Sequence, residues 1–170
     1  KARHTAVLDD YAHMIRAALV LYEATANGVY LDQAEAWMAI VNGRYWDADG
    51  GGYFLSADDT TDVITRSKTI ADNAVPSGNG VMAEVLARLY LLGGKEDYRE
   101  QAERLIRTFS SSQARNLVSL PGLMMGYEIL ERALCIVIVG DDDGLLRAAR
   151  EAAPPWRVIL RLAPGADLPQ

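Results

Sequence analysis

The chain has 170 residues, of which half are hydrophobic and 24% are charged, so it is long enough to bury the core of one globular domain. Its net charge of -6 argues against a nucleic-acid backbone as the main partner, because that binding requires clustered Lys and Arg side chains. No apolar run approaches the ~18 residues that cross a bilayer, and residues 1–10 are not a signal peptide. The single cysteine, Cys135, cannot form an intrachain disulfide, which favours a reducing, cytoplasmic location.

Helical patterns occupy most of the first 132 residues. Residues 8–26 form a predicted helix whose polar side chains fall on one narrow stripe, so protein should cover most of its surface. Residues 30–45 form a predicted amphipathic helix. After a long loop, the nearly apolar segment 80–92 and the amphipathic segment 96–110 repeat this pair. A fifth helix is predicted at 120–132, with Pro121 in its first turn.

The two helical pairs are related by an internal repeat. Several residues recur with a displacement of 68, namely Leu21-Tyr22, Tyr30 and Gln33-Ala34-Glu35, which return as Leu89-Tyr90, Tyr98 and Gln101-Ala102-Glu103. This period is twice that of a tetratricopeptide unit, which raises the alternative of a helical solenoid. Solenoid hairpins, however, follow one another through short turns, whereas about thirty residues separate these pairs. The pattern favours a layered barrel of hairpins, with buried helices inside and amphipathic helices outside.

Two further features interrupt or follow the helices. The insertion at 46–79 contains segments 52–57 and 62–66, whose pattern predicts a β-hairpin. Beyond residue 132, a β-branched run at 133–139, a helix from Asp141-Asp142-Asp143 to about residue 152 and a second apolar run at 156–162 predict a parallel βαβ unit. The sequence therefore divides into a helical part, residues 1–132, and a small appendage, residues 133–170.

Three segments, LDDYAHMIRAALVLYEAT, RYWDADGGGYFLSADD and DNAVPSGNGVMAEVLARL, resemble the helical domain of the thioredoxin-domain-containing proteins of the spermatogenesis-associated type. The predicted βαβ tail also resembles the C-terminal region of this family. The resemblance implies that the helical part belongs to an (α/α)6 toroid similar to N-acylglucosamine 2-epimerases and six-hairpin glycosidases. This chain, which lacks an initiating Met, would be its C-terminal part. Members of the family carry an N-terminal thioredoxin-like domain with a Cys-x-x-Cys motif. The present sequence has no such motif, so redox chemistry is not carried over to it.

The expected fold is therefore mainly α. It is a partial (α/α)6 toroid of helical hairpins, with a β-hairpin insertion and a small C-terminal βαβ unit. A partial toroid leaves apolar flanks uncovered, and large apolar patches tend to bind partners. We therefore expect self-association of the chain, or contact with the rest of a longer protein.

Polar residues gather where the chain enters the two helices that are expected inside the barrel. These two corners contain Asp9, Asp10 and Tyr11 on one side and Asp72, Asn73, Ser77 and Asn79 on the other. The repeat aligns Asp10 with Gly78, so the corners should be neighbours in space. In toroids of this type, ligands bind at this end of the barrel.

Paired carboxylates suit sugar chemistry, in which one donates a proton and the other accepts it or stabilises positive charge. Asp10 and Asp72 are thus the candidate catalytic residues, and Trp46 and Tyr53 offer rings that stack on a sugar. The structural alternative is that these polar residues cap helices and shape turns.

The leading hypothesis is a carbohydrate-active-like domain that binds a sugar or a related small polar ligand, with epimerase-like or glycosidase-like activity of the intact protein left open. The alternative is a non-catalytic interaction or scaffold domain. Neither a cofactor nor a metal is predicted. The segment that starts at Asp47 lacks the bidentate Glu of a calcium loop. His4 and His13 have no partner at metal-binding spacing.

Overall fold

A computed structural model describes residues 5–61, 63–113 and 117–166. The described part contains six α-helices and two strands, in the order α1 (Leu8–Thr25), α2 (Gly28–Arg44), α3 (Gly78–Gly93), α4 (Glu96–Gln113), α5 (Pro121–Arg132), β1 (Leu134–Val139), α6 (Asp143–Ala152) and β2 (Arg157–Leu162). A short 3-10 turn at Leu117–Ser119 precedes α5. Within these residues, no helix combines the length and the hydropathy that a membrane crossing requires.

The five helices predicted before residue 133 are confirmed. The internal repeat includes the C-terminal ends of α1 and α3. Both α1 and α3 end at a residue in the left-handed conformation, Ala26 with φ 55° and Gly94 with φ 67°. Each of these residues donates its backbone N–H to a tyrosine carbonyl one turn earlier, Tyr22 or Tyr90, at 2.7 Å. The two hairpins therefore turn in the same way, at positions that are 68 residues apart.

Helix α3 is the centre of the structure. Thirteen of its sixteen residues are buried, and it packs against α1, α4 and α5. The contact with α5 is close because small residues face each other across it. A Cβ atom placed on Gly126 would lie 2.5 Å from the Cβ of Ala83, and one placed on Gly122 would lie 3.2 Å from the Cα of Gly80. These glycines let the two helix backbones approach one another.

Helix α1 is less covered than its sequence predicts. Met14, Val20 and Leu21 are 52%, 51% and 43% exposed, although the apolar pattern indicated burial on most sides. The elements that pack on α1 are chiefly α2, α3 and β2, and they leave these three apolar side chains uncovered. One side of α1 is therefore apolar and exposed.

The predicted β-hairpin is not formed in the described part of the insertion; Asp62, the first residue of its second predicted strand, lies outside the described residues. Over the described residues of 46–79, the β-structure is one isolated antiparallel bridge between Trp46 and Tyr53. The backbone groups of the first predicted strand find partners elsewhere. Phe54 N–H donates to the Tyr45 carbonyl at the end of α2, and the Leu55 carbonyl accepts from Leu8 N–H at the start of α1, both at 2.9 Å. Within the insertion, Leu55 N–H donates to the Ser67 carbonyl at 2.8 Å. The insertion is thus held both by the helix ends and by isolated internal hydrogen bonds, without a strand ladder.

The C-terminal βαβ unit is confirmed. The strands are parallel, with Leu134 opposite Arg157 and Val139 opposite Leu162. Asp142 caps α6 by accepting from the N–H groups of Gly144 and Leu145. Cys135, in β1, is exposed.

Two packing layers hold this unit in place. Ile138, Leu146 and Ile159 form a small core with α6 on one face of the sheet. On the other face, Val158 and Leu160 join the main helical core.

Candidate functional site

The two polar corners lie next to each other, as the repeat predicted. Asp9 projects from the start of α1, and its Oδ1 accepts a hydrogen bond from the Gly78 N–H at the start of α3, at 3.0 Å. A helix N-terminus has backbone N–H groups without intrahelical partners, and a carboxylate satisfies one of them while favouring the helix dipole. Asp9 therefore supplies this role for α3 from another helix.

Asp72 joins three segments of the chain. Its Oδ1 accepts from Ser77 N–H at 2.7 Å, and its Oδ2 accepts from Gly122 N–H in the first turn of α5 at 2.6 Å. Its own N–H donates to the Ser119 carbonyl at 2.9 Å. Both carboxylate oxygens are thus used to hold the insertion against α3 and α5.

Ser77 and Asn79 anchor the insertion to α3. Ser77 Oγ accepts from Gly80 N–H at 3.2 Å, which makes Ser77 the N-cap of the helix, and donates to the Ile70 carbonyl at 2.8 Å. The Asn79 side chain is fully buried. Its Oδ1 accepts from Tyr53 N–H at 2.8 Å, and its Nδ2 donates to the carbonyls of Tyr53 and Thr69 at 2.9 and 2.8 Å. Asn79 therefore satisfies backbone groups of the loop that would otherwise be buried without partners.

Tyr53 is a core residue in this structure. Its ring is fully buried, its hydroxyl donates to Asn42 Oδ1 at 2.9 Å, and burial raises its pKa far above the usual value. The Trp46 ring meets it edge to face, with centroids 4.9 Å apart.

The remaining candidates lie outside this hydrogen-bond network. Asp10 is exposed, and its Oδ2 accepts from Val7 N–H at 3.0 Å. Tyr11 packs edge to face on Tyr45 and lines a cavity of about 360 Å³ to which the residues of the hydrogen-bond network do not contribute. Asn73 is exposed in the loop. The structure therefore brings together Asp9, Asp72, Ser77, Asn79 and Tyr53, and it separates Asp10, Tyr11 and Asn73 from them.

Trp46 borders an open cavity of about 270 Å³. The other lining residues come from α4 and are Asp97, Glu100, Gln101 and Arg104. The Arg104 guanidinium lies 5.6 Å from the Trp46 ring centroid and donates to the Ala48 and Asp49 carbonyls. Sequence reasoning missed the α4 residues, because their spacing is equally typical of a solvated helix face.

Asp47, next to Trp46, organises the glycine-rich turn. Its Oδ1 accepts from the N–H groups of Asp49 and Gly50 at 3.0 and 2.9 Å, and its Oδ2 accepts from Lys68 Nζ at 2.5 Å. The Gly50 hydrogen bond and the Lys68 ammonium lower the pKa of Asp47 to about 2.

No group of three or more potential metal ligands occurs in the described ranges. His13 Nε2 lies 3.3 Å from the Pro76 carbonyl, and His4 lies outside the described residues.

A buried ion network joins α3 to α1. Arg88 Nε donates to Glu84 at 2.9 Å, and Arg88 Nη1 donates to Glu23 of α1 at 2.8 Å. Glu84 also pairs with Arg16 at 3.1 Å. Burial raises the pKa of Glu23, although Arg88 opposes this effect. The signal in the sequence was the pair Glu84 and Arg88, four residues apart in an otherwise apolar helix.

Comparison with known sequences places the chain among its relatives. No family model matches it. Spermatogenesis-associated protein 20 of Rattus norvegicus is 38% identical to it over 160 residues, which is 90% of the chain. The chain is homologous to a segment of spermatogenesis-associated protein 20. The protein of that name in Homo sapiens is 35% identical over 136 residues, or 79% of the chain. An uncharacterised protein of Caenorhabditis elegans is 32% identical over 139 residues, or 81%.

The match to spermatogenesis-associated protein 20 concerns a part of that protein. The chain corresponds to 20% of the rat relative and 17% of the human one. The matched region supports the family resemblance that the three sequence motifs indicated.

Proposed function

We propose that this chain is a non-catalytic sector of a larger helical toroid. Its polar corner fastens helices and loops together, and α1 docks against a further helical hairpin of the same polypeptide. The observation that carries this proposal is that Asp9 and Asp72 both accept hydrogen bonds from backbone N–H groups of α3, its N-cap or α5. This is the interaction or scaffold function that the sequence left as the alternative.

The use of the carboxylates argues for a structural role. A general acid or base needs an oxygen within hydrogen-bond reach of its substrate. Both oxygens of Asp72 already hold amides that are 2.6 and 2.7 Å away. Drawing either oxygen toward a substrate would release a backbone donor at a helix start, which costs about 1–3 kcal/mol for a buried group. The corner is therefore better suited to holding the fold than to reacting.

The docking surface is the exposed stripe of α1. Met14, Ala17 and Leu21 are exposed and lie at spacings of three and four, so they share one face of the helix, with Val20 beside them. Water-exposed apolar residues in such a row are typical of a helix that packs against another helix. The relatives are about five times as long as the chain, so their sequences provide further segments that could fill this position.

Self-association of the isolated chain tests the docking surface. The second copy then substitutes for the missing hairpin, and light scattering after size-exclusion chromatography should show dimers or larger species. Leu21→Glu should shift the chain toward the monomer, because it places a charge in the contact. Ile64→Glu is the matched control, since Ile64 is fully exposed in the insertion and not on α1. A monomeric wild-type chain, or equal effects of both variants, would contradict the proposal.

A second candidate is the sugar or polyol binding expected from the sequence, with Asp10 and Asp72 as the catalytic pair. The cavity beside Trp46 favours it, because an aromatic ring next to carboxylate and amide side chains is typical of carbohydrate recognition. Titration calorimetry with glucose, mannose and N-acetylglucosamine tests this candidate. Binding that is lost in Trp46→Ala and in Glu100→Gln, which both change the lining of this cavity, but kept in Asp32→Asn at an exposed position of α2, would support it. Saturable binding to none of these sugars would contradict it.

A further inference from the structure

The cleft between the helical body and the βαβ unit has an unusual balance of charge. It encloses about 380 Å³ and is lined by residues of α1, α3, the end of α6 and β2. Three arginines face it, Arg88, Arg150 and Arg157, together with one carboxylate, Glu23. The protein as a whole carries a net charge of -6, so this positive cleft is opposite in sign to its surroundings.

Arg88 is neutralised within the buried ion network. Arg16 and Arg88 supply two positive charges, and Glu23 and Glu84 supply two negative charges, through contacts of 2.8 to 3.1 Å. The network is therefore balanced without help from outside. Arg88 and Glu84 are 8% and 6% exposed, so this balance is required for their burial.

Among the residues that the structure describes, no carboxylate forms an ion pair with Arg150 or Arg157. Arg157 Nη1 donates to the carbonyls of Ala153 and Pro154 at 3.4 and 3.1 Å, which orients the guanidinium but leaves its charge in place. Arg150 makes no side-chain hydrogen bond or ion pair with the described part of the chain. Two guanidinium groups that face one cavity repel each other unless an anion lies between them.

The walls of the cleft indicate the kind of anion. Val20, Ala24, Pro155 and Ile159 contribute apolar surface to the same cleft. A cavity of this volume and mixed character fits a small organic molecule, not a bare inorganic ion alone. Guanidinium groups bind carboxylate and phosphate oxygens through paired hydrogen bonds.

We propose that this cleft is a binding site for a small organic anion. Arg150 and Arg157 hold its carboxylate or phosphate group, and the carbon skeleton lies against Val20 and Pro155. Glu23 and Arg88 form the fixed floor of the site. The site is separate from the polar corner and shares only Val20 with the docking stripe. Because Arg150 and Arg157 lie outside that stripe, the binding test does not depend on the proposed structural role.

Titration calorimetry on the full chain, at constant ionic strength, tests the site with inorganic phosphate, glycerol 3-phosphate and succinate. Saturable binding of glycerol 3-phosphate or succinate is expected, tighter than that of inorganic phosphate. Tighter binding of glycerol 3-phosphate than of succinate would assign a phosphate ligand, and the reverse order a carboxylate. Arg150→Gln should weaken binding by about tenfold or more, because it removes a charge-assisted contact without disturbing a bond of the fold.

Arg147→Gln is the matched control, since Arg147 lies on the same helix, is exposed and does not line the cleft. It should leave the affinity unchanged. If the two variants lose affinity equally, the binding reflects net charge and the proposal is overturned. It is also overturned if neither glycerol 3-phosphate nor succinate binds to the wild-type chain. Arg157→Lys keeps the charge but loses the paired geometry, and it should weaken binding while circular dichroism confirms that the fold is kept.

Discussion

Replacement of Asp72 by Ala should lower the stability of the fold much more than loss of an ordinary surface carboxylate. The variant removes the acceptors of two backbone N–H groups, at Ser77 and at Gly122. Hydrogen bonds to a charged acceptor contribute about 1.5–3 kcal/mol each, and Asp72 is only partly buried, so water offsets some of the loss. We expect a destabilisation of about 2–4 kcal/mol. Asp72→Asn, which keeps one acceptor oxygen, should cost about half as much.

Urea denaturation followed by circular dichroism measures this difference. A loss of this size corresponds to a decrease of roughly 5–15 °C in the melting temperature of a chain of this length. Asp32→Ala is the control, because Asp32 is exposed on α2, and its effect should lie within about 0.5 kcal/mol. If Asp72→Ala were no more destabilising than Asp32→Ala, the assignment of Asp72 as a structural clamp would be refuted.

Two further predictions concern the acidic limit of stability and the packing of small residues. Asp47 has a pKa lowered from 3.8 to about 2, so its contribution is present above its unfolded pKa and is lost as the pH falls through about 2. In urea denaturation, Asp47→Asn should be about 1–2 kcal/mol less stable than wild type near neutral pH, after allowance for solvent screening of the pair with Lys68. This difference should shrink below about pH 4, and a constant difference would contradict it. Gly126→Ala should destabilise by about 1–3 kcal/mol, because its new methyl group would overlap Ala83. Gly43→Ala in α2, where nothing lies within 4 Å of the added carbon, should stabilise by about 0.5–1 kcal/mol, and calorimetric melting of both variants checks the opposite signs.

The helices and the βαβ unit were predictable because periodicity and capping residues are local signals. Ser77 and Asp142, for example, cap the helices that immediately follow them. The β-hairpin prediction was wrong because strand propensity does not specify which backbone will pair. Phe54, in the first predicted strand, donates its N–H to Tyr45 at the end of α2 and not to the second predicted strand.

The candidate site shows the same limit over longer separations. The repeat predicted that the corners at Asp9 and Gly78 are neighbours, and this is confirmed by their hydrogen bond. The pairing of Asp72 with Gly122 joins residues that are 50 positions apart, with no pattern in the sequence to connect them. Sequence reasoning therefore located polar residues near one another but not the groups to which each one is bonded.

Glu23 also determines on which side the small sheet can grow. The Ile159 N–H points away from β1 and donates to Glu23 Oε2 at 3.0 Å, while the Arg157 carbonyl accepts from Arg88 Nη1 at 3.0 Å. These side chains form hydrogen bonds with backbone groups of β2 that point away from β1. The helical body therefore terminates the sheet on that side. On β1, the N–H groups of Leu134 and Gly140 point to β2, and alternation turns that of Val137 outward. Any additional strand, from this polypeptide or from another, would therefore extend the sheet beside β1.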